Sequence, residues 1–335
     1  VSIAGSTQRI ELLEENGAGV ALFLTSNTVL SFDAPYPALL GRLDARRSPL
    51  RGLFVPTAVD YQDMDGDGLL DELAVTQNEV TVEFTTVPGR LQFDVVPPST
   101  EDIDETYQPF AAIHPDTNSL LFSRLGPDGA IELHVRALNG ITPESEGPSL
   151  ELQDSQGVAG WAAPTNDSVV VYDSNGVQVL DLDTASIVGS WSPPSGLVSS
   201  MEDLGDSRWG VVVSDATAGT SVHVLQELST GAPDAEVIVG STPSRRVMDV
   251  VLCDVTRDGE SDLLVGFESS DRGRGVLMFA SPLSASYTAD QAQVELRDVG
   301  AIGLECGDVN GDGYADLATA DPAIGAGLLL EWRGQ

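Results

Sequence analysis

Three stretches of this 335-residue chain repeat one acidic pattern. Asp63-Met-Asp65-Gly-Asp67-Gly-Leu-Leu-Asp71, Asp254-Val-Thr256-Arg-Asp258-Gly-Glu-Ser-Asp262 and Asp308-Val-Asn310-Gly-Asp312-Gly-Tyr-Ala-Asp316 set oxygen-bearing side chains at loop positions 1, 3, 5 and 9. Gly stands at position 6 in all three. A hard divalent cation takes six to eight oxygen ligands, and alternate residues of a tight turn can point carboxylates inward while the carbonyl of position 7 fills a gap. The pattern reads as a calcium loop written three times.

An EF-hand version is excluded by position 12, where a bidentate Glu is required and Ala74, Val265 or Thr319 stands instead. The flanking runs are Leu73-Ala-Val75, Val247-Met-Asp-Val-Val-Leu252, Leu263-Leu-Val-Gly-Phe267, Ala301-Ile-Gly-Leu304 and Leu317-Ala-Thr319. Apolar runs this short, several of them β-branched and bounded by turn residues, predict strands. Each loop therefore joins two β-strands, with Asp at position 9 replacing the missing Glu.

These residues resemble the FG-GAP or VCBS repeat family, whose best-known members form the β-propeller of integrin α subunits. Cys306-Gly-Asp-Val-Asn-Gly-Asp-Gly-Tyr-Ala-Asp-Leu317 is similar to the repeat core almost letter for letter, and Ala320-Asp-Pro322 stands where the family often has Gly-Ala-Pro. The other copies depart from it. Thr256 is a weaker ligand than Asp or Asn, Arg257 puts a cation beside the site, and Glu72 shifts the following Leu by one position. The resemblance covers about three blades well and the rest of the chain by pattern. It implies an all-β propeller with up to three structural calcium ions, acting as a binding or adhesion module. The ligands it implies are Asp63, Asp65, Asp67 and Asp71; Asp254, Thr256, Asp258 and Asp262; and Asp308, Asn310, Asp312 and Asp316.

Spacing agrees with that architecture. Asp254 and Asp308 lie 54 residues apart, and the 191 residues from Asp63 to Asp254 divide into four units of about 48. A seventh of the chain is also about 48 residues, within the range of four-stranded propeller blades. The expectation is a single propeller over 1–335, of seven rather than six or eight blades, near 14–50, 57–97, 108–150, 157–193, 196–240, 247–296 and 300–335. The last blade shows three clear strands, so its fourth is expected from the N-terminal segment 1–13, around Arg9-Ile-Glu-Leu-Leu13. The middle repeats carry strand signals without ligands, such as Ser168-Val-Val-Val-Tyr172 and Val177-Gln-Val-Leu180 around the turn Asp173-Ser-Asn-Gly176.

Sixteen basic residues, all Arg, stand against 52 acidic ones, for a net charge of −36. Such a field argues against nucleic acid, whose phosphates need clustered Lys and Arg, and against anionic membranes. No apolar run approaches membrane-spanning length, and no signal-peptide pattern opens the chain. Beginning at Val1, it reads as a processed or excised piece of a secreted, cell-surface or periplasmic protein. Calcium loops of this kind, with affinities of about 10⁻⁴ to 10⁻³ M, suit an extracellular medium.

Cys253 and Cys306 each close the strand entering a loop, in successive repeats. Two readings stay open, a disulfide and a pair of buried thiols. Catalytic signals are thin: His114, His134 and His223 are scattered, and neither Gly-x-Ser-x-Gly nor His-Glu-x-x-His occurs. His134 and His223 alternate with apolar residues, as structural histidines do. Trp161, Trp191, Trp209 and Trp332 read as packing residues between blades. The leading expectation is a calcium-bound module for a protein or glycan partner, as one part of a larger assembly. The alternatives are a polysaccharide-active enzyme with acidic channel residues and a rigid scaffold without a ligand of its own.

Overall fold

The computed structural model describes residues 2–4, 7–15, 18–25, 28–33, 46–49, 58–62, 64, 71–75, 79–84, 90–94, 110–114, 119–126, 130–139, 142–152, 157–162, 168–204, 208–217, 219–226, 228, 235–240, 245–270, 273–283, 286–308, 314–321 and 326–330. These are almost entirely strand. Alternation of apolar and polar residues, broken by Gly, Asp, Asn and Pro, favours short half-buried strands over helices.

Among the described residues the strands form seven sheets, each built chiefly of strands adjacent in sequence. Strand β1 (Ser2–Ala4) stands apart and joins the last sheet. The first sheet runs β2 (Thr7–Glu15), β3 (Ala18–Thr25), β4 (Thr28–Asp33), β5 (Arg46–Pro49), and the second β6 (Ala58–Gln62), β7 (Asp71–Val75), β8 (Glu79–Glu83), β9 (Arg90–Asp94). The third is β10 (Ala111–Ile113), β11 (Ser119–Leu125), β12 (Ile131–Asn139), β13 (Thr142–Leu152). The fourth is β14 (Gly157–Trp161), β15 (Ser168–Asp173), β16 (Gly176–Asp181), β17 (Ser186–Trp191). The fifth begins β18 (Leu197–Asp203), β19 (Arg208–Asp215), β20 (Gly219–Gln226), β21 (Ala235–Gly240). The sixth begins β22 (Arg245–Cys253), β23 (Asp262–Ser269), β24 (Gly273–Phe279). The chain then departs from the four-strand pattern. Strand β25 (Ser286–Thr288) pairs in parallel with β21 of the fifth sheet, a single 3-10 turn η1 (Ala289–Gln291) follows, and β26 (Val294–Arg297) returns to complete the sixth. The seventh is β27 (Ile302–Gly307), β28 (Asp316–Asp321), β29 (Ala326–Leu330) and β1.

The N-terminal strand of the seventh sheet is therefore Ser2–Ala4, with Ser2 opposite Leu328 and Ala4 opposite Ala326. This corrects the expectation placed on Arg9–Leu13. Those residues lie in β2, where Arg9 faces Leu24 and Leu13 faces Val20, so they open the first sheet. The opening strands β2, β14, β18, β22 and β27 each carry a register shift near their start. Bulges of this kind bend an edge strand and raise its twist.

The chain divides into two compact units, residues 1–51, 174–176 and 191–335 in one and 52–173 and 177–190 in the other. In the second unit, Leu73, Val75, Val80, Val82 and Leu91 of the second sheet pack against Ile113, Leu120 and Phe122 of the third. The opposite face of the third sheet sends Leu121, Leu133 and Leu152 against Trp161, Val169 and Val171 of the fourth. In the first unit, Val222, Val224 and Val237 of the fifth sheet meet Val250, Leu263, Val265, Phe267 and Phe279 of the sixth. Leu264, Val276 and Met278 then face Leu304 and Leu317 of the seventh. Successive residues of a strand point to opposite faces, so a middle strand apolar on both faces can sit between two neighbours. That explains runs such as Leu263–Phe267, fully or almost fully buried.

Three acidic loops on one strand register

Each acidic loop joins the first and second strands of a sheet, β6 to β7, β22 to β23 and β27 to β28. The register is the same in all three: position 9 lies opposite the residue just before position 1, pairing Gln62 with Asp71, Cys253 with Asp262 and Gly307 with Asp316. Asp71, Asp262 and Asp316 each open the second strand and each are 0% exposed. A buried carboxylate is costly unless it accepts hydrogen bonds. In the first loop Met64 N–H donates to Asp71 Oδ2 at 2.9 Å, and in the second Val255 N–H, at the same position, donates to Asp262 Oδ2 at 3.0 Å.

The second loop is described throughout. Thr256 N–H also donates to Asp262 Oδ2 (2.9 Å), and Ser281 N–H donates to Asp262 Oδ1 (2.9 Å). At the other end of the loop, Asp254 Oδ1 accepts from Asp258 N–H at 3.1 Å and Oδ2 from Gly259 N–H at 3.0 Å. Asp258 Oδ1 takes Glu260 N–H at 2.9 Å. The turn needs two left-handed residues, Arg257 (φ 60°) and Gly259 (φ 88°). Position 6 is the Gly that all three copies keep, because a Cβ is strained there.

Two arginines tie this loop to its neighbours. Arg208 of β19 donates to Ser261 Oγ at 3.3 Å, and the Arg257 guanidinium lies 4.4 Å from the ring centre of Tyr314, at position 7 of the third loop. Cys253 and Cys306 form a disulfide, with Cα atoms 6.2 Å apart, which settles the alternative left open by the sequence. Asp249 on β22 adds a second tie, accepting Leu304 N–H of β27 at 2.8 Å.

Asp63, Asp65 and Asp67 of the first loop, and Asn310 and Asp312 of the third, lie outside the described residues. Asp308 is exposed, just past β27. Thr256 and Asp258 are exposed as well, while Asp254 is half-buried. Among the described residues no three His, Cys, Asp or Glu side chains gather as a metal-holding group. As to fit, an all-oxygen donor set suits a hard cation. A carboxylate has about four lone-pair sites, so Asp254, which accepts two N–H groups, keeps capacity for an ion, whereas Asp262 is already taken up by Val255, Thr256 and Ser281. Thr256 brings a neutral hydroxyl and Arg257 an opposing charge.

Sequence reasoning missed Ser281. It follows the third strand of the sixth sheet, and its hydroxyl also donates to Ser261 O at 2.7 Å. No local pattern marks a residue 19 positions from the carboxylate it holds. The histidines are packed. His114 is edge-on to Trp161 (5.1 Å between centres), and His134 stacks on Phe122 and bonds Glu132 at 2.9 Å. His223 is 2% exposed beside Trp191, with Nε2 3.0 Å from Ser221 Oγ. Burial lowers its pKa from the ordinary value, opposed by the Glu236 carboxylate. Trp161, Trp191 and Trp209 are buried, and Trp332 lies outside the described residues. Arg274 is paired with Glu268 at 2.9 Å.

No protein-family profile matches the chain. No curated protein matches it either. Among solved structures it is similar to that of BBS1N in complex with ARL6DN, with a TM-score of 0.59 at 12% identity, covering 99% of this chain and 93% of that one. It is also similar to a chain of the mitotic checkpoint complex, with a TM-score of 0.58 at 12% identity and the same coverages. Identity this low speaks to fold alone. The likeness is to propeller proteins, as expected for an all-β chain of successive, mostly four-stranded antiparallel sheets.

Proposed function

We propose that this chain is a β-propeller of seven blades acting as a protein-binding module without a catalytic centre, its acidic loops held by calcium in an extracellular or cell-surface setting. The observation that carries the reading is the shared strand register of the three loops, each with a fully buried Asp at position 9. A turn built the same way three times, in sheets otherwise unlike in sequence, supports a common job for it. Stabilising the turn is that job, with function left to other surfaces of the sheets. A protein partner fits better than a glycan, since one similar structure is a complex with ARL6DN and the other an assembled complex.

The loops are unequal in this reading. The first and third keep Asp or Asn at position 3 and no cation, whereas the second has Thr256 and Arg257. Calcium therefore binds the first and third more tightly. The test is thermal melting with calcium, with magnesium and with chelator, beside metal analysis of the protein. At a free ion concentration 100 times the Kd, each filled site adds about 2.7 kcal/mol of stability. A rise of several degrees with calcium alone, two tightly held ions and a weaker third is expected. An identical melt in calcium and chelator, with no bound ion, would refute it.

A further inference from the structure

A sheet's last strand offers unpaired N–H and C=O groups to any extended chain, and natural proteins protect such edges with charge, Pro, bulges, short length or a cover. The closing strands here can be compared one by one. β5 reads Arg-Arg-Ser-Pro, β9 begins with Arg90 and ends with Asp94, and β13 carries Pro143, Glu144, Glu146, Pro148 and Glu151. β26 holds Glu295 and Arg297, β1 is three residues long, and β21 is covered by β25. β17 alone, among these described strands, has none of these protections: its sequence is Ser-Ile-Val-Gly-Ser-Trp.

Its side chains bear this out. Ile187 is 58% exposed and Val188 55%. Neighbours on a strand point to opposite faces, so β17 projects past the packing on both sides of the fourth sheet. The strand follows a turn that carries two acids, Asp181 and Asp183. The Thr184 hydroxyl and amide, bonded to Asp181 Oδ1 at 2.6 and 2.7 Å, hold that carboxyl below its usual range.

We infer that the free edge of β17 is a docking strand for an extended, cationic segment of a partner protein, added to the fourth sheet by strand pairing. The fifth sheet supplies the mode, since its own last strand takes β25 alongside. In strand addition, main-chain bonds give affinity and alternate side chains give choice. Charge selects the occupant. A second copy would bring another −36, whereas Lys or Arg beside the apolar positions would meet Asp181 and Asp183. The inference rests on the binding role proposed above and names its surface.

The experiment uses the full chain and a fluorescent peptide, Lys-Val-Lys-Val-Lys-Val-Lys, with its Glu-Val counterpart as control, read by anisotropy. The Lys-Val peptide is expected to bind, and the Glu-Val peptide not to. The double variant Ile187→Thr/Val188→Thr, chosen because Thr keeps strand propensity, is expected to bind the Lys-Val peptide at least tenfold more weakly with an unchanged melt. A second variant, Asp183→Asn, tests the charge at an exposed position and is expected to weaken binding two- to threefold. Equal binding by wild type and the double variant would overturn the inference, as general attraction to an acidic protein. A dimer in sedimentation that the double variant disperses would overturn it too, in favour of a second copy. Either failure alongside an intact calcium response strikes the edge and leaves the loops' role standing.

Discussion

The second and third acidic loops form a natural pair. They lie in neighbouring sheets, start one residue past strands joined by the Cys253–Cys306 disulfide, and hand a buried Asp to the next strand in the same register. They differ at positions 3, 4, 7 and 8, and the differences that bear on an ion are at 3 and 4, where Thr256 and Arg257 stand against Asn310 and Gly311. The second loop nevertheless closes. Asp254 and Asp262 between them accept five backbone N–H groups, and Arg257 turns away from its own carboxylates onto Tyr314 of the other loop. The comparison teaches that these carboxylates have two uses, as acceptors that shape the turn and as oxygen donors for an ion. A loop can weaken the second use and keep the first.

Breaking the link between the loops carries the largest expected effect. The bridge spans 53 residues, and replacing both cysteines with Ala should cost about 4 kcal/mol in the chain-entropy model. Denaturant unfolding under oxidising conditions measures it, and a loss below about 1 kcal/mol would mean that the rest of the sheet pair already fixes the crossing. Asp262→Ala comes next. It takes an acceptor from three backbone N–H groups, of which Val255 keeps the Cys253 carbonyl at 2.9 Å, and with Thr256 and Ser281 partly open to water the expected cost is about 2 kcal/mol. The informative quantity is how that cost responds to calcium. The Asp262→Ala penalty should be nearly the same in calcium and chelator, whereas the Asp316→Ala penalty should grow in calcium; equal responses would erase the distinction between the loops. Arg257→Gln is the smallest. It removes a surface cation–π contact of about 0.5–1 kcal/mol while tightening calcium at the second loop, so the melt in chelator falls slightly and the ion affinity rises. A tighter loop without any change in the chelator melt would show that Tyr314 is only a resting place for the guanidinium.

Much of the fold was legible because strands announce themselves locally. Ser168–Tyr172 and Val177–Leu180 fall inside β15 and β16, since period-two alternation and an Asn-Gly turn are properties of a dozen residues at most. What failed was pairing at a distance. Arg9–Leu13 has a strong strand pattern and was assigned to the wrong sheet, while Ser-Ile-Ala at 2–4 is too short to show any pattern and holds the edge of β29. β25 escaped for the same reason. At the loops, the motif disclosed which residues carry oxygens. It could not disclose that position 9 is shared with Ser281, because that donor belongs to the end of another strand.

The excursion through β25 has a consequence for how the first unit comes apart. The chain leaves the sixth sheet after its third strand, runs beside β21 in the fifth, and only then supplies β26. The fourth strand of one sheet is thereby tethered to the edge of another. Opening either sheet alone pulls on the other, so the pair is expected to exchange its amide hydrogens as one cooperative block rather than sheet by sheet. In a fold of repeated sheets, whose natural failure is piecewise fraying, such a stitch converts two neighbours into a single unit of unfolding.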